Sequence, residues 1–378
     1  MHNRTEQFLN DPVFPLLIRM SAPNTIAFFI QAIVVLAEVW FISKLGTTSL
    51  AAVALAFPVI MLTQQMAFGA LGGAVTSSIA RSLGAEDKER AEKLLWHSLL
   101  LSCCGYLLFF LIFFIGGESL LMALGGEGSL LEESLLYIKI FLTGAIFIWL
   151  SGTLSAALRG IGNMRFPALL MIAGSGIQVI LAGGLILGWF GFPKLGIIGA
   201  PLSAISVAAL MAIVMIFKFM HSSSNVQLKL SNLSFKKELF RDIFNVALPA
   251  SLAPIFTVGT ILILTGLVGQ FGVSALAGYG IGSRIEFLMI PLVFGIGTAM
   301  TTMVGTNIGA KKVERAERIG WLGGSFAGLF SGMIGLILII SSSYWINFFA
   351  TDQATYEVTK QYIEIVGLCF TFQGLGLS

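Results

Sequence analysis

Glu38 interrupts the apolar run Val34-Val-Leu-Ala-Glu-Val-Trp-Phe41. An ionisable side chain in hydrocarbon costs about 2.5–3.5 kcal/mol on insertion scales, so such a residue is a candidate for function by default. The chemistry it offers is uptake and release of a proton; the other reading is an interfacial Glu whose carboxylate reaches headgroups or water. Arg284 and Glu286 lie between Gly282 and Pro291. Residues two apart on a helix point in different directions, so each needs its own partner. Either both line a wet cavity, or each makes an ion pair with another helix. Lys139 and Glu364 occupy matching places in Tyr137-Ile-Lys-Ile140 and Tyr362-Ile-Glu-Ile365. Opposite charges at equivalent depth could form an outer gate, or each could snorkel to the surface. Gln31 and Gln64, with Asn24 and Gln65, are weaker polar candidates for a cleft.

Other chemistries lack their parts. There is no GxxxxGK(S/T) nucleotide loop, so the chain is not expected to hydrolyse ATP. His2, His97 and His221 are too scattered for a metal site, and no Ser/His/Asp set can be argued. Cys103, Cys104 and Cys369 all fall in apolar blocks, where the expected reading is small buried hydrophobes. No enzyme activity, cofactor or metal is expected beyond a coupling ion.

The elements that must hold these residues follow from composition. Of 378 residues, 56% are hydrophobic and 11% charged, against about 25% charged in soluble domains. With a mean hydropathy of +0.92, this excludes a soluble enzyme, a secreted domain and a nucleic-acid binder. The apolar residues come in blocks such as 99–115 and 326–340, so the spanning elements are helices and not a β-barrel. Windows of about 20 residues place ten spans, at roughly 15–40, 49–77, 94–115, 134–157, 167–188, 197–220, 246–270, 275–304, 320–341 and 358–378. The first 15 residues are polar and lack the order of a cleavable signal, so span 1 is expected to stay in the protein. All but five of the 22 Lys and Arg residues lie at the N-terminus, at the end of span 6, or in the segments after spans 2, 4, 6 and 8. The positive-inside rule makes those segments and the N-terminus cytoplasmic. The net charge of +3 reflects orientation and calls for no acidic partner. Pro23, Pro58, Pro249, Pro254 and Pro291 fall inside or near the ends of spans, where each kinks a helix or serves as a bending point.

The chain contains a repeat. Gly84-Ala-Glu-Asp-Lys-Glu-Arg-Ala-Glu-Lys93 matches Gly309-Ala-Lys-Lys-Val-Glu-Arg-Ala-Glu-Arg318 at six of ten positions, and Trp96 faces Trp321 three residues on. Both copies begin on the same side, so the halves are parallel repeats about an axis along the membrane normal, a plan found in secondary transporters. The expected organisation is a six-helix lobe over 1–220, a cytoplasmic linker over 221–245 with an amphipathic helix on the membrane surface, and a second lobe over 246–378. That second lobe would hold four of six helices, so about ten of twelve are expected here and some 65 C-terminal residues are absent by repeat alignment.

Several motifs resemble those of the multidrug and toxic compound extrusion (MATE) transporters. They are Phe41-Ile-Ser-Lys-Leu-Gly46, Ala56-Phe-Pro58, Gly84-Ala85 with Arg90-Ala91, Leu158-Arg-Gly-Ile-Gly-Asn163 with Arg165-Phe-Pro167, Gly196-Ile-Ile-Gly-Ala200, and Gly278 to Arg284. The resemblance implies two lobes in a V around a central cleft in the bacterial inner membrane. It further implies export of small organic cations or amphipathic drugs, driven by inward H⁺ or Na⁺, by a protein that acts as a monomer and binds no nucleic acid. In the family pattern an acid at the place of Glu38 is tied to cation coupling. An Asn and an Asp four residues apart in span 5 are replaced here by Gln178 and Ala182, so proton exchange at Glu38 is favoured over a multi-oxygen Na⁺ site. Gln178 then either orients Glu38 or packs between helices. Thr257 and Gln373 stand near the places of acids that some sodium-coupled members carry in the second lobe. Competing readings are a lipid-linked oligosaccharide flippase, a narrow-specificity metabolite exporter, and a passive channel or structural membrane protein.

Overall fold

The computed structural model describes residues 3–221, 226–349 and 353–377, for residues 3, 269, 273, 274, 276, 277, 284–288, 345, 348, 349 and 377 in backbone only. It is helical throughout: α1 (Asn3–Asn10), α2 (Val13–Ser43), α3 (Thr47–Gln64), α4 (Gly72–Gly84), α5 (Lys88–Ala123), α6 (Gly128–Gly160), α7 (Arg165–Leu187), α8 (Gly199–His221), α9 (Lys237–Gly269), α10 (Val273–Gly309), α11 (Val313–Ile340), α12 (Ser342–Phe349) and α13 (Gln353–Leu377). Among the described residues nine helical segments are long and apolar enough to cross a membrane. α13 occupies the place of the expected tenth span but is not among them, because Thr359, Lys360, Gln361 and Glu364 dilute its first half. Leu107, Leu108, Leu111, Ile112, Phe114 and Ile115 of α5 all point away from the bundle, as a helix facing hydrocarbon requires.

Helices α2 to α8 pack as one set and α10, α11 and α13 as another, joined across α2/α10 and α4/α10. The crossings rely on small residues that let backbones approach. A Cβ at Gly84 would lie 2.0 Å from the Thr306 carbonyl oxygen, and one at Gly309 would lie 2.0 Å from that of Arg81. Each first helix begins in the other set's core. Val13, Leu16 and Leu17 of α2 pack with Met289, Val293 and Met300 of α10, whereas Leu239 and Ile243 of α9 pack in the core of the first set.

Four features depart from expectation. The second membrane-crossing rod is interrupted after Pro58 by a π-helical stretch, Gln65–Leu71, between α3 and α4. The polar N-terminus forms α1, whose Phe8 is buried. The linker has no separate surface helix among the described residues. It runs as irregular coil with one 3-10 turn at Leu230–Asn232, and α9 begins directly at Lys237. It docks on α5 through Trp96 Nε1–H to Lys229 O (2.8 Å), Asn232 Nδ2–H to Glu92 Oε2 (2.5 Å) and Lys236 N–H to His97 Nε2 (3.0 Å). Finally, Cys103, Cys104 and Cys369 are exposed on the outer faces of α5 and α13, not buried; an apolar block on a membrane-facing helix puts its side chains outward as readily as inward.

Candidate functional site

Gln31, Ser175, Gln178 and Ser203 of the first repeat form a hydrogen-bonded row that ends on Glu38. Gln31 and Glu38 are seven residues apart on α2, two helical turns, and so share a face. Ser175 and Gln178 are three apart on α7 and face them. Ser175 Oγ–H donates to Gln31 Oε1 (2.9 Å), Gln31 Nε2–H to Gln178 Oε1 (3.3 Å), and Gln178 Nε2–H to Glu38 Oε1 (2.9 Å). From α8, Ser203 Oγ reaches the same carboxylate oxygen at 3.3 Å. Every donor in this row is aimed toward the acid, so the ionised carboxylate completes it. Oε1 is held from two helices, while Oε2 has no hydrogen-bond partner among the described residues and is left to take a proton.

The wall around the acid is apolar and aromatic. Ala182, fully buried, stands one turn beyond Gln178, so no second carboxylate or amide oxygen approaches from that direction. Tyr137 of α6 is buried, 7% exposed. Past Glu38, Trp40 and Phe41 meet Trp189 with ring centroids 6.3 and 5.4 Å apart, and the Lys44 ammonium sits 4.9 Å from the Trp40 ring centroid. These rings close the end of α2 above the acid.

The remaining candidates are dispersed. Gln64 is exposed at the last residue of α3. Lys139 on α6 and Glu364 on α13 are both exposed and make no ion pair among the described residues. Thr257 and Gln373 are half-buried on α9 and α13. Arg284 and Glu286 belong to α10, but their side chains lie outside the described residues. Asn24 is buried and bridges the repeats by donating to Thr298 Oγ1 at 3.1 Å. Ser175, Ser203 and Tyr137 were not singled out from sequence. The available signal was spacing alone, since Ser175 lies one turn from Gln178.

Comparison with known proteins places the chain in a family. The MatE family model matches residues 23–183 and 249–378. The FAD transporter of Shewanella oneidensis is 26% identical over 368 residues, covering 95% of this chain and 79% of that protein. The probable multidrug resistance protein NorM of Thermotoga maritima is 26% identical over 359 residues, covering 93% of this chain and 75% of that protein. A solved outward-facing structure of a multidrug resistance MATE family transporter of the MOP superfamily has a TM-score of 0.87 at 25% identity, covering 99% of this chain and 85% of that one. From its parallel helical repeats and the residues so matched, the chain belongs to the MatE family of membrane transporters.

Proposed function

We propose that this transporter exports cationic or amphipathic organic compounds in exchange for protons, with Glu38 as the coupling group. The observation that carries the reading is the divided carboxylate: one oxygen pinned by Gln178 and Ser203, the other unpartnered among the described residues, and Ala182 where a second acid would be needed to wrap a sodium ion. Protonation removes the charge that gathers the hydrogen bonds from α7 and α8, so it loosens α2 from its neighbours. Because α2 also carries Asn24 and Thr25, which bond Thr298 and the Leu292 carbonyl of α10, that loosening reaches the contact between the repeats. The basic end of the bundle, bearing α1 and the linker, faces the cytoplasm of a bacterial inner membrane, and the single chain is the working unit.

Everted membrane vesicles of the full-length protein test the reading through ethidium uptake on an imposed proton gradient. Parent protein accumulates dye without Na⁺, and Glu38→Gln does not. Uptake that requires Na⁺, or that survives in Glu38→Gln, rejects proton coupling at this residue. The similarity to an FAD transporter favours a second cargo, a flavin nucleotide. Gradient-driven flavin uptake in place of ethidium uptake would select it.

A further inference from the structure

A second polar feature lies between the repeats and is unused by the proton site. Residues from the π-helical stretch, α4, α6 and α10 line a half-open cavity of about 110 Å³. Its walls are paired by the repeat: Phe68 with Phe294, Gly72 with Gly297, and Thr76 with Thr301. One charged side chain enters it, Arg159 of α6, which is 3% exposed. Nε has no partner, and among the described residues the guanidinium makes no hydrogen bond or ion pair. The neighbouring hydroxyls do not compensate for this. Thr76, Thr298 and Thr301 each donate to a helix carbonyl, those of Ala156, Gly295 and Gly297, at 2.9–3.0 Å. The free donors of the cavity are therefore those of the guanidinium.

A guanidinium cannot lose its charge at any ordinary pH, and an uncompensated buried charge is strongly unfavourable. A counter-charge for it would be negative, and the group entering the cavity would be small, because drug-sized ligands need cavities of about 300 Å³ or more. Arginine's planar fork matches two oxygens of a carboxylate or phosphate at once. We propose that the Arg159 cavity is an oxyanion site, which takes a carboxylate or phosphate group between the repeats. The oxyanion comes either as a free solute or as the anionic end of a larger organic molecule. This site is separate from Glu38 and stands whether or not the proton reading does.

The test is the melting temperature of the full-length protein in detergent, titrated with potassium phosphate or sodium acetate against chloride at equal ionic strength. The parent is expected to melt several degrees higher with the oxyanion, saturably, and chloride is expected to leave it unchanged. Arg159→Gln loses the response, and Arg159→Lys, which keeps charge but not the fork, responds with roughly tenfold weaker apparent affinity. Gly73 also lines the cavity, and a Cβ there meets nothing within 4 Å. Gly73→Val therefore adds a side chain at the cavity wall while leaving residue 159 itself unchanged, and it is also expected to abolish the response; this arm decides if Arg159→Gln fails to fold. Phenyl phosphate separates the sources: tighter binding than inorganic phosphate identifies an organic molecule, and equal or weaker binding a free solute. A parent that responds no more to oxyanions than to chloride, or a response that persists in Arg159→Gln or in Gly73→Val, overturns the proposal.

Discussion

Gln178 and Ser203 both approach Glu38 Oε1, but they are not equal supports. Ser203 has one hydroxyl proton, and its shorter contact, 2.7 Å, is to the Ala200 carbonyl and not to the acid at 3.3 Å. Gln178 has no such competing acceptor for its 2.9 Å bond, and its own oxygen is fixed by Gln31. Gln178→Leu should therefore remove about 1.5–3 kcal/mol of charged hydrogen bonding, a fall of roughly 10- to 150-fold in proton-driven uptake. Ser203→Ala should cost only a few-fold. Initial uptake rates in vesicles at matched expression check both, and equal losses from the two would mean that the Gln178 bond has no special weight. Glu38 and Gln31 were legible in the sequence because a polar residue in an apolar run has no innocent solvent to face. The serines were not, since a hydroxyl inside a helix normally satisfies itself on the preceding turn, as Ser203 partly does here. Arg159 was hidden differently: in sequence it reads as one more topology-setting charge after span 4.

At the scale of elements, hydropathy and the internal repeat recover the long helices and their order, because both depend only on how far an apolar face must extend to cross a bilayer. The π-helical stretch Gln65–Leu71 escapes such a reading, since one extra residue per turn leaves composition unchanged. The linker escapes it too: its amphipathic pattern is spent on docking against α5 and on starting α9. The repeat also duplicates a local strain. Glu86 and Lys311, at matching places after α4 and α10, both adopt left-handed backbone angles, with φ of 61° and 60°. The amides that follow close the same turn, Asp87 N–H to Ser82 O (2.9 Å) and Lys312 N–H to Asn307 O (2.8 Å). Glycine is the residue that such a helix end prefers. Glu86→Gly and Lys311→Gly are each expected to stabilise the protein by about 0.5–1 kcal/mol, readable as a raised midpoint in thermal unfolding. Asp87→Ala is expected to act in the opposite direction by about 1 kcal/mol, because its carboxylate caps α5 by accepting from Arg90 N–H at 2.8 Å. Glu89 in the same turn is held below the usual carboxylate range by Lys93. That contribution is present above the ordinary Glu range and is lost as pH falls through the lowered value. Fully exposed, it is too weak to mask the cap.

For the molecule as a whole, the proposed export needs a contact between the repeats that is firm enough to seal one end of the bundle and weak enough to part in every cycle. Its composition meets both demands. Across α4 and α10 the seal is made by pseudo-equivalent glycines: Gly84 against the Thr306 carbonyl, Gly309 against that of Arg81, and Gly305 against Ala80. Close backbone packing excludes water across α4 and α10, and the ion pairs beside it, Arg81 and Arg90 with Asp242 of α9 at 2.7 and 2.9 Å, are only partly buried. The first turns of α2 and α9, each set in the opposite core, hold the repeats in register at that end. The arrangement has no slack for a side chain. In Gly84→Val or Gly309→Val the new Cβ meets main-chain atoms at 2.0 Å, and since a carbonyl of a packed helix cannot rotate aside, the helices must separate. Spin labels at Lys88 and Val313, exposed and matching positions just beyond the seal, should then move several ångströms apart in double electron–electron resonance, by similar amounts in the two variants because the contact is reciprocal. Transport should be lost in both. Gly84→Ala, with the same clash and a smaller side chain, guards against loss of folding and should shift the same distance by less. An unchanged distance with active transport in either valine variant would show that this crossing is not where the protein closes.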